Sequence, residues 1–140
     1  MASTHSATYR TIFFTAAIAL LLMAGATQYR QWVQYTRGKA AEAAKNPMAA
    51  IAGYESAIHM YTPGSPIVAR AAEALWQMGS RFEDANDPER ALIAYRSLRS
   101  SFYASRSFFL PGKEWITRCN EKIVRLEQAQ KQSTKAQSQP

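Results

Sequence analysis

The residues of this chain able to do chemistry are few and scattered. His5 and His59 lie far apart, and no second histidine or cysteine stands near either. A tetrahedral metal site needs four such donors brought together. Cys119 is the only cysteine, so it can form no intramolecular disulfide. Asp84, Asn86 and Asp87 are closely spaced, but Pro88 follows at once and the remainder of a calcium loop is missing. A turn followed by a helix cap explains them better. Glu83 and Glu89 are the nearest thing to a paired acid and base, with no third group beside them. There is no Gly-rich phosphate loop and no H-E-x-x-H. The expectation is a protein that is not an enzyme, with no catalytic residue, no metal and no cofactor.

Binding chemistry is better represented. Arg96, Arg99, Arg106, Lys113 and Arg118 interleave with Phe102, Tyr103, Phe108 and Phe109. Cations set among aromatic rings can take an acidic peptide, lipid headgroups or single-stranded nucleic acid. Arg96, Arg99, Tyr103, Arg106, Phe108 and Phe109 are therefore the candidate partner-binding residues, with nucleic acid the disfavoured partner. The plainer explanation is that the rings pack the last helix onto the fold while the arginines stay solvated. Charge is distributed in the same sense. The chain carries 17 basic and 10 acidic residues, a net +7. Residues 1–89 sum to zero, so the whole excess falls in residues 90–140. Such an imbalance bears on association rather than on fold.

Residues 11–29 contain no charge, and Arg10 and Arg30 bracket them. As a helix they span roughly 28 Å, close to the thickness of a hydrocarbon core. Ile12, Phe13, Phe14, Ile18, Leu20, Leu21, Leu22 and Met23 supply the apolar surface. Tyr9 at one edge, and Tyr29, Trp32 and Tyr35 at the other, form the aromatic girdle of an interfacial helix. Ala16, Ala17, Ala19, Ala24, Gly25 and Ala26 are small enough for close packing against another helix in lipid. A spanning helix contacting lipid through Thr11–Tyr29 is the expected reading. The alternative is a cleaved signal peptide, with Ala24-Gly25-Ala26 as the cleavage site. Orientation stays open. Arg30, Arg37, Lys39 and Lys45 favour a cytoplasmic C-terminal side, while short N-terminal anchors commonly export the domain behind them.

Beyond this segment one phrase occurs twice. Residues 46–56 read N-P-M-A-A-I-A-G-Y-E-S, and residues 87–97 read D-P-E-R-A-L-I-A-Y-R-S. Each opens with a capping residue and a proline, the signature of a helix start. The first predicted helix runs from Asn46 to about Tyr61, where Thr62-Pro63-Gly64 breaks it. Ser65-Pro66 repeats the cap-then-proline start, and the next helix runs to about Asp84. A third follows Asp87-Pro88, a loop covers 104–112, and an amphipathic helix spans about Lys113 to Gln128. The membrane helix is expected to continue through residues 28–45, which hold no proline. Residues 128–140 have almost nothing to bury and read as disordered.

Residues 75–98 resemble one tetratricopeptide repeat. Leu75, Met78, Gly79 and Phe82 match its first helix, and Ala91, Tyr95 and Leu98 its second. Upstream, Ala50, Tyr54 and Ala57 match a second helix, and Gly38 falls at the small position of a first. There the pattern departs, with Arg37 and Ala41 in place of an aliphatic and an aromatic residue. The copies stand 41 positions apart, against about 34 for the family. The resemblance implies an all-α protein: one N-terminal transmembrane helix, then a small tetratricopeptide-like antiparallel helical-repeat domain with a C-terminal capping helix. The division expected is 1–10 as N-terminal tail, 11–29 as membrane helix, 30–127 as helical domain and 128–140 as tail. The function it implies is interaction: a membrane-anchored scaffold or accessory subunit of a bacterial inner-membrane protein complex, partnered by other membrane subunits. The alternatives are a basic helical module for anionic lipid or nucleic acid, and a secreted periplasmic domain.

Overall fold

The computed structural model describes residues 3–105 and 111–137, with side-chain surroundings for residues 9–105 and 111–136. These residues form five α-helices and no strand: α1 Ser3–Ala43, α2 Pro47–His59, α3 Pro66–Asp84, α4 Pro88–Ala104 and α5 Lys113–Gln137. The helix α1 is unbroken from the uncharged segment into the folded bundle. Its upper part is bare, and its lower part packs on α2. Successive helices then pack as antiparallel neighbours, with further contacts between α1 and α3 and between α2 and α4.

Local chemistry sets the helix boundaries. Asn46 and Asp87 cap α2 and α4 by accepting the amide protons of Ala49 and Arg90 at 3.2 and 3.1 Å. Pro47, Pro66 and Pro88 each open a helix. The α1–α2 and α3–α4 turns are the same turn. In the first, the Lys45 amide bonds the Glu42 carbonyl and the Asn46 amide bonds Ala41; in the second, Asn86 bonds Glu83 and Asp87 bonds Phe82. This is the paired closure of a Schellman motif, and it needs one residue in the left-handed region. Lys45 and Asn86 supply it, at φ 57° and 56°. Ser65 departs from the expected cap. Its hydroxyl makes no cap bond and donates instead to Gln31 Oε1 at 2.8 Å.

The core is continuous through α2, α3, α4 and α5. Leu75, Met78, Gly79, Ala91, Tyr95, Leu98, Ala50, Tyr54 and Ala57 are all buried in it. Phe82 is only half-buried, with the Arg90 guanidinium 6.0 Å from its ring centre. The repeat extends well beyond the doubled phrase. Tyr35 stacks on Tyr54 as Trp76 stacks on Tyr95. Tyr54 lies over Gly38, and Tyr95 over Gly79, so closely that a Cβ at either glycine would come within 3 Å of the ring. The step also carries Leu75 and Met78 onto Ile116 and Cys119 of α5, both buried. Thus α5 is the first helix of a third unit. No helix follows it among the described residues, and Val124, where the preceding units have Glu42 and Glu83, is 52% exposed.

One expectation is corrected. The segment read as disordered from residue 128 is helical to Gln137. It is rich in Gln, Ala and Lys, all good helix formers, and contains no proline. Residues 131–136 are exposed, so propensity carries these turns where burial does not.

The backbones of α1 and α2 come close at Gly38 and Gly53. A Cβ on Gly53 would stand 2.6 Å from the Gly38 backbone, which has no side chain to move aside. In an open helix Gly→Ala stabilises by about 0.5–1 kcal/mol. Gly53→Ala is expected to do the opposite, destabilising by about 1–3 kcal/mol. The check is thermal unfolding of the full chain in a non-ionic detergent, and a raised midpoint would rule out this contact.

Candidate functional site

Two glutamates organise the polar side of the bundle. Glu42, at the end of α1, accepts a bond from the Tyr54 hydroxyl at 2.6 Å and pairs with Arg81 of α3. Glu83, at the end of α3, accepts from the Tyr95 hydroxyl and pairs with Lys122 and Arg125 of α5 at 2.7 and 2.8 Å. Glu42, Tyr54 and Arg81 stand 41 positions before Glu83, Tyr95 and Lys122, and Arg125 is an addition of the second node. Each ties the end of one first-type helix to the second helix of its own unit and to the first helix of the next. Burial raises both carboxyls, but the bonds and charges outweigh it. Tyr54 and Arg81 hold Glu42 below its ordinary value of 4.5, and Lys122, Tyr95 and Arg125 do the same for Glu83. Tyr54 and Tyr95 are pushed far up, by burial first and then by their bonds to these carboxylates. Both phenols stay protonated donors.

Beside the first node lies an open groove of about 350 Å³. Pro47, Met78, Phe82 and Ala85 give it an apolar floor, and Lys45, Arg81 and Arg90 rim it with cations. Glu42 is the acidic group in the lining, and it is already paired with Arg81. The counterpart beside Glu83 is lined by Asn86, Pro88, Glu89 and Leu126 and carries no cationic rim. Only the first is suited to an apolar side chain that stands next to a negative charge.

On the opposite side of α3, the guanidinium of Arg118 stacks between Trp76 and Trp115, 4.1 and 4.6 Å from their ring centres. Of the expected binding set around Phe102, Arg96, Arg99 and Tyr103 are described. Arg96 pairs with Glu127 at 2.7 Å, and Arg99 donates to Asn120 Oδ1 at 3.0 Å, so both hold α5 to α4. Phe102 is buried, while Tyr103 is 45% exposed. Arg106, Phe108 and Phe109 lie outside the described residues. Among the described residues no group of His, Cys, Asp and Glu is placed to hold a metal. Cys119 is buried and its thiol is pushed up to about 12 by that burial, so it is protonated at neutral pH and a poor nucleophile.

Sequence reasoning missed the glutamate nodes, the buried Gln31 and the Trp76–Arg118–Trp115 stack. The signal for the nodes was present: a glutamate twelve residues before each repeated tyrosine, in the same step as the doubled phrase. Gln31 and Arg118 carry no comparable pattern.

The uncharged half of α1 is the other candidate surface. The helix is long and apolar enough to cross a membrane, with mean hydropathy 1.7 over its most apolar window and none of that window buried. Ile12, Phe13, Phe14, Ile18, Leu20, Leu21, Leu22 and Met23 are each 58–73% exposed. Covering these eight side chains is worth about 10–20 kcal/mol. That equals or exceeds the net stability of a typical domain, about 5–15 kcal/mol. No family model, curated protein or solved structure matches the chain.

The glutamate nodes make stability depend on pH. Both folded carboxyls sit below 4.5, so the unfolded chain takes up protons first as pH falls. The contribution is present above the unfolded value and is lost as pH drops through the folded values. Thermal midpoints of the detergent-solubilised chain are expected to fall between pH 7 and about pH 3. Glu83→Gln is expected to cost about 1–3 kcal/mol at pH 7 and much less at about pH 3. An unchanged acid limb in this variant would show that Glu83 does not carry it.

Proposed function

We propose that this chain is a single-pass protein of a bacterial inner membrane, anchored by α1, whose helical-hairpin bundle of tetratricopeptide type binds a partner subunit. The observation that carries the reading is the division of α1. From Ile12 to Met23 its large apolar side chains are bare on all sides, while from Gln31 onward the same helix is built into the bundle. A helix that is apolar all round without protein to cover it is suited to lipid. The bundle supports an interaction role through its form. Stacked hairpins leave grooves between successive units, and the first groove joins an apolar floor to a cationic rim. That chemistry fits a partner segment with an apolar residue beside an acidic one. Anchoring keeps the groove at high local concentration near other membrane proteins. Binding of anionic lipid or nucleic acid through Arg96 and Arg99 is less favoured, because both are already engaged with α5.

Alkaline carbonate treatment of membranes from an expressing strain tests the anchor. The chain is expected to stay in the pellet with an intact mass that includes residues 1–26. Release into the supernatant, or a mature chain beginning near Thr27, would contradict it. For the interaction role, the full chain extracted in mild detergent is expected to bring down a membrane protein, and Phe82→Asp is expected to weaken that recovery at least tenfold. Equal recovery with Phe82→Asp would remove the groove from the account.

A further inference from the structure

The direction of the helices decides which end of the bundle faces the bilayer. With α1 entering from the membrane, α2 returns toward it, and the corner between α2 and α3 closes at the membrane end. Three bonds hold that corner to α1. Gln31 Nε2 donates to the Met60 carbonyl, and the Ser65 hydroxyl reaches Gln31 Oε1 at 2.8 Å and Gln28 Oε1 at 3.5 Å. Gln31 is fully buried, so an amide on α1 is committed to fixing this corner. From Thr27, the last residue before these contacts, Gln31 is about 6 Å along the helix, comparable to the depth of one headgroup layer.

Composition divides the two corners that flank α3. Residues 60–69, M-Y-T-P-G-S-P-I-V-A, hold no charged residue and no histidine. At the far end, residues 81–90 read R-F-E-D-A-N-D-P-E-R, six of them charged. A charge brought against hydrocarbon must lose part of its hydration, so a surface that touches the bilayer is best built without one. The corner is also stiff, with Pro63 and Pro66 flanking Gly64 at φ 76°. Pro63, Gly64, Pro66 and Ala69 are exposed. At the same level of α1, Tyr29 and Trp32 are 65% and 53% exposed with their rings in contact, as residues at a headgroup boundary are.

We infer that the α2–α3 corner, Met60–Ala69, is a second membrane contact, seated in the headgroup layer of the bilayer that α1 crosses and held there by Gln31. This rests on the reading that α1 spans the membrane. The bundle then stands with its charged end, including the groove at Phe82 and Arg90, turned away from the lipid. A partner reaches that groove from the aqueous side.

Depth-dependent fluorescence quenching tests this on the full chain in phosphatidylcholine nanodiscs. Single cysteines are introduced as Leu21→Cys, Thr62→Cys, Ala69→Cys and Ala85→Cys and labelled in the folded state, where Cys119 is buried. Nitroxides are placed either on the headgroup or deep in the acyl chain. The probe at 21 is expected to be quenched by the deep nitroxide. The probes at 62 and 69 are expected to lose most of their fluorescence to the headgroup nitroxide, and the probe at 85 none. Quenching at 21, with 62 and 69 as bright as 85, overturns the second contact and leaves the anchor standing. Equal headgroup quenching at 62, 69 and 85 overturns the end-on seating. No quenching at 21 removes the anchor, and the second contact with it.

Discussion

Two glycines, Gly38 and Gly53, meet where α2 lies against α1, and the rest of the molecule depends on that contact. Neither helix is self-sufficient. The α2 helix has 13 residues, a length at which an isolated helix is marginal in water. The lower half of α1 is mostly polar, with a stripe at Gln31, Tyr35, Gly38 and Glu42 that meets chiefly α2, and α3 through Arg81. Removing both side chains at the crossing lets the backbones touch, and so Tyr54 can lie across Gly38 and reach Glu42 with its hydroxyl. The same approach sets Gln31 against the end of α2 and starts the stack on which α3, α4 and α5 are laid. A helix whose first half is bare becomes, in its second half, the first layer of a core.

The repeat explains why the two ends of the stack look unlike its middle. A first-type helix has two faces to satisfy, one toward the preceding hairpin and one toward its own partner. Only α3 has both neighbours, and it has both faces: Leu75 and Met78 buried on one, Trp76 and Gly79 meeting Tyr95 on the other. Among the described residues no helix precedes α1 in the bundle. It keeps Tyr35 and Gly38 for its partner, and carries Gln34 and Arg37 where Leu75 and Met78 would be. The last helix is the converse. It keeps Ile116 and Cys119 buried against the preceding hairpin, and has an exposed Thr117 where α3 has Trp76. The repeat reads in sequence as degenerate because its first and last described helices each pack on one side only. The glutamate nodes bind adjacent layers where the core is thin, and their lowered carboxyl values are the electrostatic trace of that role.

Much of the fold is legible in the order of the residues alone. Helix starts at Asn46, Ser65 and Asp87 follow from cap-then-proline chemistry, and they fall within a residue of where α2, α3 and α4 begin. The buried set from Ala50 to Leu98 follows from helical spacing, because a core residue's neighbours recur along its own helix. Three features resisted for physical reasons. The left-handed residue that closes α1 is Lys45 rather than glycine or asparagine, so the usual signal of that helix end is missing. The far turns of α5 are held by propensity and bury little, and low burial in sequence reads as disorder. The candidate binding cations, Arg96 and Arg99, proved to be fastened to α5, since a surface arginine and an interhelical one look alike until the facing helix is placed. The uncharged stretch of α1 was plain from composition, and so was its continuation into the bundle.

The central claim is that anchor and bundle share one uninterrupted helix, so that the domain is held rigidly against its membrane. Amide hydrogen exchange along α1, in the full chain in lipid nanodiscs, tests this most directly. The claim predicts slow exchange throughout residues 12–40, including Gly25 to Gln31, where the helix leaves the apolar segment and enters the bundle. A fast-exchanging break within residues 25–31, flanked by protection on both sides, would contradict it and make the anchor a tether.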